Sequence, residues 1–185
     1  MKIFVVSDTH GQIDKAYRIY EKTGGADLII HCGDYRDDGK RLSELTGAPV
    51  EAVSGNCDGA SRDVRIVGTP AGDIMVTHGH AEGVDYDLNA VLYAAEESGC
   101  RAVCFGHTHV SLCEDMNGIY VINPGSLTRP RDGKGGACAL IQADEHGFFA
   151  NLVYYDTLFP SGTAGAGTGT KGGFLRNMLN YSDRF

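Results

Sequence analysis

The chain has 185 residues, of which 42% are hydrophobic and 22% are charged, and these proportions are typical of an ordinary globular protein with one domain and a sizeable core. The net charge of -8 argues against a general nucleic-acid-binding surface but leaves room for a local positive site. No apolar run approaches the roughly 20 residues that a membrane span requires, and the N-terminal run is too short for a signal peptide. We therefore expect a cytoplasmic protein that does not enter a membrane.

The N-terminal part of the chain alternates between short apolar runs and helical patterns. The apolar run at residues 3–6 predicts a strand that is buried on both faces, and the mainly apolar stretches 28–32 and 50–53 predict a second buried strand and a third strand. Between them, the spacing of apolar residues predicts helices over 13–22 and 41–45. This β-α-β-α-β order is typical of a parallel sheet with helical crossovers.

The pattern changes after residue 60. Residues 64–67 and 74–77 flank a turn and predict a hairpin, and a helix over 87–98 precedes a strand over 101–105. The remainder to about residue 156 is predicted to be β structure. Its strands are expected over 110–114, 119–122, 137–142 and 149–155.

The end of the chain has a different composition. Residues 161–173 are dominated by Gly, Thr and Ala and predict a flexible linker. After it, Phe174, Met178, Tyr181 and Phe185 fall on one helical stripe, which could dock on its own domain or on a neighbouring subunit. A homo-oligomer formed through this segment and a frayed tail are the alternatives. We predict one domain over 1–156, followed by a linker and an amphipathic segment over 157–185.

Polar clusters stand at the ends of the apolar runs. They contain Asp8 and His10, Asp34, Asn56, His78, and His107 and His109. The carboxyl ends of strands in an α/β sheet meet at one edge, so these side chains are expected to converge. Imidazole, carboxylate and amide oxygen ligands suit Mn, Zn, Fe or Ni better than Ca or Mg. Seven ligands exceed the needs of one ion and suit two ions that share a carboxylate, although each residue alone is also a common turn or capping residue.

The same positions resemble a known set of motifs. Asp8-x-His10, Gly33-Asp34, Gly55-Asn56, His78-Gly79 and Gly106-His107-Thr108-His109 are similar, in order and approximate spacing, to the five motifs of the calcineurin-like metallophosphoesterases. The stretches 55–58 (GNCD) and 123–126 (NPGS) make the chain most similar to the small YfcE-type phosphodiesterase branch. The resemblance covers about residues 1–156. It implies a four-layer α/β/β/α sandwich of two mixed β-sheets.

The resemblance also implies a ligand assignment and an activity. One metal would be held by Asp8, His10, Asp34 and His109. The other would be held by Asp34, Asn56, His78 and His107, with Asp34 as the bridging carboxylate. The implied activity is a phosphodiesterase that acts on a small phosphoester with a metal-bridging hydroxide as nucleophile. Manganese is the expected metal, with zinc, iron and nickel as alternatives.

Other functions and roles remain open at this point. A phosphomonoesterase with the same metal site and a protein-binding scaffold of the same fold are the rival hypotheses. Cys57 stands where many relatives have a His that assists the leaving group, so it is either a packing residue or a poorer acid beside the substrate. Asn56 is also expected to contact substrate. Arg129 is predicted either to bind a phosphate oxygen or to be a solvated loop charge.

Overall fold

The computed structural model describes residues 1–59 and 61–160. The predicted linker and the amphipathic segment after it lie outside the described residues. The homo-oligomer expected through that segment therefore stays a prediction, as does the division of the chain at residue 156.

The described residues form ten strands, four α-helices and one short 3-10 helix. In chain order they are β1 (Lys2–Val6), α1 (Asp14–Lys22), β2 (Leu28–His31), α2 (Arg36–Thr46), β3 (Val50–Ala52), the 3-10 helix (Asn56–Asp58), β4 (Val64–Val67), β5 (Ile74–Thr77), α3 (Asn89–Glu97), β6 (Ala102–Cys104), β7 (Leu112–Met116), β8 (Ile119–Asn123), β9 (Ala137–Asp144), β10 (Gly147–Tyr154) and α4 (Tyr155–Leu158).

The strands form two five-stranded mixed sheets. The first has the order β10-β9-β1-β2-β3, and the second has the order β4-β5-β6-β8-β7. In the first sheet β1, β2 and β3 run parallel, while β9 pairs antiparallel with β1. In the second sheet β5, β6 and β8 run parallel. The parallel strands at the centre of each sheet therefore bring their carboxyl ends to common edges.

The two sheets pack face to face through alternate residues of their strands. Ile3 and Val5 of β1 lie in one buried cluster with Ile74 and Val76 of β5 and Ile122 of β8. These side chains are fully shielded from solvent. Burying an aliphatic side chain of this size contributes about 1.5–3 kcal/mol, so this inner layer stabilises the contact between the sheets.

Helices cover the outer face of each sheet. Phe4 points away from the inner layer and packs with Ile19 of α1 and Leu42 of α2. On the other side, Val103 of β6 packs with Val91 of α3. This arrangement of helix, sheet, sheet and helix confirms the predicted four-layer α/β sandwich.

Several element boundaries differ from the sequence prediction by one or two residues, and the start of α2 differs by five. Helix α2 begins at Arg36, whereas the sequence pattern predicted residue 41. The pattern missed the first turns because they are polar and have no hydrophobic period. Gly39 in those turns packs closely on the sheet, since an added Cβ would lie 3.1 Å from His31 and 3.3 Å from Val50. Strand β7 begins at Leu112, two residues later than predicted, because the preceding residues belong to the loop that carries His109. None of the helices in the described part of the chain is long and apolar enough to cross a membrane.

Candidate metal centre

The loops that carry the predicted ligands have an unusual backbone conformation. Five of the seven predicted ligands have positive φ angles between 47° and 68°. They are Asp8, His10, Asp34, His107 and His109. Such a conformation costs a residue with a side chain about 1–3 kcal/mol and persists only where the surroundings enforce it. The concentration of this strain at one edge of the molecule is typical of a functional site.

One group of four side chains meets at the ends of β1 and β2. The potential ligand atoms of Asp8, His10, Asp34 and His109 all lie within 4.8 Å of one another. Nε2 of His109 lies 3.3 Å from Nε2 of His10 and 3.3 Å from Oδ1 of Asp8. Both carboxylates and His109 are buried, and His10 is partly exposed. This is the first ligand set that the sequence motifs implied.

The other predicted ligands meet beside it. Oδ1 of Asn56 lies 3.0 Å from Nε2 of His78 and 3.1 Å from Nδ1 of His107. Nε2 of His78 also lies 3.3 Å from Oδ1 of Asp34. Asp34 thus belongs to the first group and touches the second. The structure brings all seven predicted side chains into one continuous cluster.

The outer nitrogens of three imidazoles are occupied by acceptors. Nδ1 of His78 lies 2.8 Å from the carbonyl oxygen of Cys32, and Nδ1 of His109 lies 2.8 Å from that of Arg129. Nε2 of His107 lies 2.6 Å from Oδ2 of Asp85. Since a carbonyl or carboxylate oxygen only accepts, each outer nitrogen carries a proton, and the inner nitrogen of the ring in its neutral form presents a lone pair.

Sequence reasoning missed Asp85. It lies in the loop between β5 and α3, outside all of the recognised motifs. No local pattern marks it, because its role depends on contact with His107, which is 22 residues further along the chain.

The atoms that face the centre of the cluster are therefore mutually repulsive without a cation. Imidazole lone pairs meet the carboxylate oxygens of Asp8 and Asp34 and the amide oxygen of Asn56. Oδ1 of Asp8 is buried, and apart from the 3.3 Å approach of His109 no hydrogen-bond donor among the described residues contacts it. Buried polar atoms of this kind are costly unless paired. A divalent cation fits the cluster because it would satisfy all of these acceptors together.

The protonation preferences of the cluster agree with that fit. Burial lowers the pKa of His78, and burial together with the charge of Arg129 lowers that of His10, so both favour the neutral form that binds metal. Burial alone would raise the pKa of Asp34, but hydrogen bonds from Cys57 lower it overall. A hydrogen bond to Asp8 raises the pKa of His109, as expected of an imidazole that binds a proton where a cation would otherwise stand.

Two glycines allow the carboxylates to approach the backbone. A Cβ atom on Gly106 would lie 2.6 Å from Oδ2 of Asp8 and would also overlap the Ser7 hydroxyl. A Cβ atom on Gly55 would overlap the carboxylate of Asp34. Both glycines belong to the sequence motifs, and the structure explains them by steric space.

A buried hydrogen-bond network lies beneath the site and connects its loops. Gly33 N–H donates to Nδ1 of His31 at 3.2 Å, so the imidazole proton is on Nε2, which lies 2.9 Å from the Thr9 hydroxyl. Thr9 in turn donates to Oδ2 of Asp38 at 2.7 Å, and Gly11 N–H donates to the same oxygen. Burial lowers the pKa of His31 to about 4, so this ring is neutral at pH 7.

The two predicted substrate contacts outside the ligand set also lie beside the cluster. Arg129 is exposed, and its charge acts on His10 while its carbonyl oxygen orients His109. Cys57 is exposed at the turn that carries Asn56, and its N–H donates to Asp34 at 2.9 Å. A hydrogen bond to Asp34 raises the pKa of the Cys57 thiol to about 11. Contact of either residue with a substrate stays a prediction.

Comparisons with known proteins agree with this geometry. The sequence model of the calcineurin-like phosphoesterase superfamily domain matches residues 1–146. The chain is 33% identical over 159 residues to the probable metallophosphoesterase YsnB of Bacillus subtilis, covering 84% of this chain and 91% of that protein. It is 25% identical over 171 residues to the phosphodiesterase YfcE of Escherichia coli K12, covering 78% of this chain and 89% of YfcE.

Solved structures show the same fold. A predicted phosphoesterase from Streptococcus pneumoniae superposes with a TM-score of 0.67 at 28% identity, over 84% of this chain and 90% of that one. Zinc-bound Vps29 from Entamoeba histolytica also superposes with a TM-score of 0.67, over 84% of this chain and 99% of that one, but at 17% identity it supports the fold alone. As the five motifs predicted, this chain belongs to the calcineurin-like phosphoesterase superfamily and is a metal-dependent phosphoester hydrolase.

Proposed function

We propose that the protein is a phosphodiesterase with a dinuclear metal centre, in which a metal-bridging hydroxide is the nucleophile. The observation that carries this proposal is the position of Asp34. Its carboxylate belongs to the cluster with Asp8, His10 and His109, and it also lies 3.3 Å from His78 of the neighbouring group. A carboxylate placed between two groups of lone-pair donors is suited to bridging two ions.

The protein's contribution is to hold and orient these donors. Asp8, His10, Asp34 and His109 would bind one ion, and Asp34, Asn56, His78 and His107 would bind the other. When bound, a pair of divalent ions lowers the pKa of a shared water and stabilises charge on the phosphoryl oxygens. Without them, the carboxylates of Asp8 and Asp34 would repel a phosphate, so the apo protein is expected to be inactive.

Residues at the rim would position the substrate. Arg129 is exposed beside His10 and His109, where its guanidinium could fork onto a phosphate oxygen. Asn56 and Cys57 occupy the turn next to Asp34, to which the Cys57 N–H donates. We propose that these residues bracket the phosphoryl group of a small phosphoester.

The choice of a diester over a monoester rests on a relative. YfcE is named a phosphodiesterase, and it covers 78% of this chain. A scaffold without catalysis is disfavoured because all seven ligand positions retain side chains that can bind metal. The set of imidazole and carboxylate donors suits manganese, with zinc, iron or nickel as alternatives, and we propose that the enzyme acts in the cytoplasm.

The proposal is tested by metal removal and restoration. The protein stripped by a chelator should not hydrolyse bis(p-nitrophenyl) phosphate, and added Mn²⁺ should restore turnover. If only p-nitrophenyl phosphate is hydrolysed, the enzyme is a monoesterase. If metal binds but neither ester is hydrolysed, the enzymatic proposal is wrong.

The bridging role has its own variant. Asp34→Asn should abolish turnover and reduce the bound metal, as measured by elemental analysis after gel filtration. Asp14→Asn, an exposed carboxylate at the start of α1, provides the matched control and should behave as the wild type. Near-normal turnover of Asp34→Asn would contradict the dinuclear centre.

A further inference from the structure

A groove lined by cations opens next to the metal centre. It has a volume of about 270 Å³ and lies between α2, the edge strand β3 and the edge strand β4. It is lined by Arg36, Asp37, Lys40, Val50, Ala52 and Arg65. Since pockets for whole ligands usually measure about 300–1,000 Å³, this groove has the size for one part of a ligand.

Two of the cations in the groove have no acidic partner. Arg65 is neutralised by Glu51, whose Oε2 lies 3.0 Å from its Nη1. Arg36 and Lys40 are exposed, and neither forms an ion pair within 4.0 Å with any residue in the described ranges. The protein has a net charge of -8, so acidic groups are plentiful elsewhere on the chain.

The spacing of these two residues increases the local positive potential. Arg36 and Lys40 stand four positions apart on α2, so their side chains share a face of the helix, and like charges at this spacing are destabilising. The helix also begins at Arg36, but the Asp58 carboxylate accepts from the Arg36 N–H at 3.0 Å and offsets the positive end of the helix dipole, so the positive potential rests on the two side chains. Asp37 offsets part of this charge but does not pair with either cation. The arrangement therefore favours an anionic occupant.

The groove lies close to the proposed reaction site. Arg36 follows Asp34 by two residues, so their Cα atoms are at most about 7 Å apart. The backbone N–H of Arg36 donates to Asp58 at 3.0 Å, and Asp58 ends the turn that begins with Asn56. The floor residue Ala52 precedes the same turn by four positions. A ligand centred at Asp34 and Asn56 could extend directly into the groove.

We propose that this groove binds a second anionic group of the substrate, so that the enzyme prefers phosphodiesters that carry an additional terminal phosphate. This inference rests on the proposed phosphodiesterase function. Arg36 and Lys40 would hold the terminal phosphate through charge-assisted hydrogen bonds, while the scissile diester lies at the metal centre.

The test compares two probes that differ only in that phosphate. They are the phosphorothioate analogue of the dinucleotide ApA and the same molecule with a 5′-phosphate, bound in the presence of Mn²⁺ and measured by calorimetry. Charge-assisted hydrogen bonds typically strengthen binding by about tenfold or more. We expect the wild type to bind the 5′-phosphorylated probe about tenfold more tightly, and the double variant Arg36→Ala/Lys40→Ala to bring this ratio below about threefold.

The control removes the same charges at the same spacing from another helix. Arg18→Ala/Lys22→Ala on α1 should keep the wild-type ratio, and circular dichroism should show that both double variants are folded. A ratio near one in the wild type, or a ratio that survives in Arg36→Ala/Lys40→Ala, would overturn the inference. Because binding is measured without turnover, failure here is distinct from failure of the phosphodiesterase proposal, which the bis(p-nitrophenyl) phosphate assay decides.

Discussion

Replacing Thr9 with valine tests whether the buried network holds the metal-site loops. Thr9 stands between the predicted ligands Asp8 and His10 and is fully buried. Its hydroxyl accepts from His31 at 2.9 Å and donates to the carboxylate of Asp38 at 2.7 Å. Valine has nearly the same shape, so Thr9→Val removes both hydrogen bonds with little change in packing.

The size of the effect follows from the partners that are left behind. A hydrogen bond to a charged acceptor contributes about 1.5–3 kcal/mol, and a buried donor left without a partner costs about 1–3 kcal/mol. Asp38 would keep the N–H of Gly11 and the guanidinium of Arg41, both at 2.7 Å, so the main cost falls on the His31 N–H. We expect the free energy of unfolding to fall by about 3 kcal/mol, which lowers Tm by about 6–12 °C in a domain of this size.

The assay is urea unfolding followed by circular dichroism, with a chelator present so that metal binding does not add to stability. The control is Thr23→Val, because the Thr23 hydroxyl bonds to helix carbonyls such as that of Ile19 and should lose at most about 1.5 kcal/mol. The affinity of Thr9→Val for Mn²⁺ should also fall, because the Thr9 hydroxyl ties the backbone between Asp8 and His10 to His31 and Asp38. A loss of stability no larger than the control, with unchanged metal affinity, would refute the network's role.

Three further predictions concern single side chains. The pKa of His31 in the folded protein is lowered to about 4, so its neutral form contributes stability above pH 6.5 that is lost as the pH falls towards 4. The free energy of unfolding measured in urea should decline over that range. The part of the decline that is due to His31 should be absent in His31→Gln. Asp85→Ala removes the hydrogen-bond partner of His107 and should weaken the binding of one metal ion by about 10–100-fold in calorimetry. Asp85→Asn keeps an acceptor oxygen and should restore part of the loss. Equal metal affinity in the wild type and both variants would exclude the orienting role of Asp85. Cys57→His should raise turnover of diesters with poor alkoxide leaving groups relative to p-nitrophenyl esters by about tenfold or more, whereas an unchanged ratio would show that this position does not protonate the leaving group.

The fold could be predicted where local pattern and tertiary structure agree. The runs containing Ile3, Ile29 and Val103 are uniformly apolar, because both faces of these central strands are covered, and such runs are visible without knowledge of their neighbours. The first turns of α2 were missed for the opposite reason. Residues 36–40 are polar or glycine, and the close packing of Gly39 on the sheet is a tertiary contact that the local pattern does not show.

The same distinction separates the metal-site residues that sequence could identify from those it could not. Asp8 and Asp34 follow the neighbouring parallel strands β1 and β2, so knowledge of the sheet order is enough to bring them together. His78 follows β5 of the other sheet and reaches them because the two sheets pack face to face. Asp85 and Asp38 act through side chains that come from a loop and a helix, and their partners are fixed only by packing. A chain with all seven ligand positions intact could therefore still bind metal poorly if these two carboxylates were lost. For related chains, the ligand motifs are evidence of family membership, whereas the carboxylates that orient His107 and anchor Thr9 are the better guide to whether the site is held in a form that binds metal.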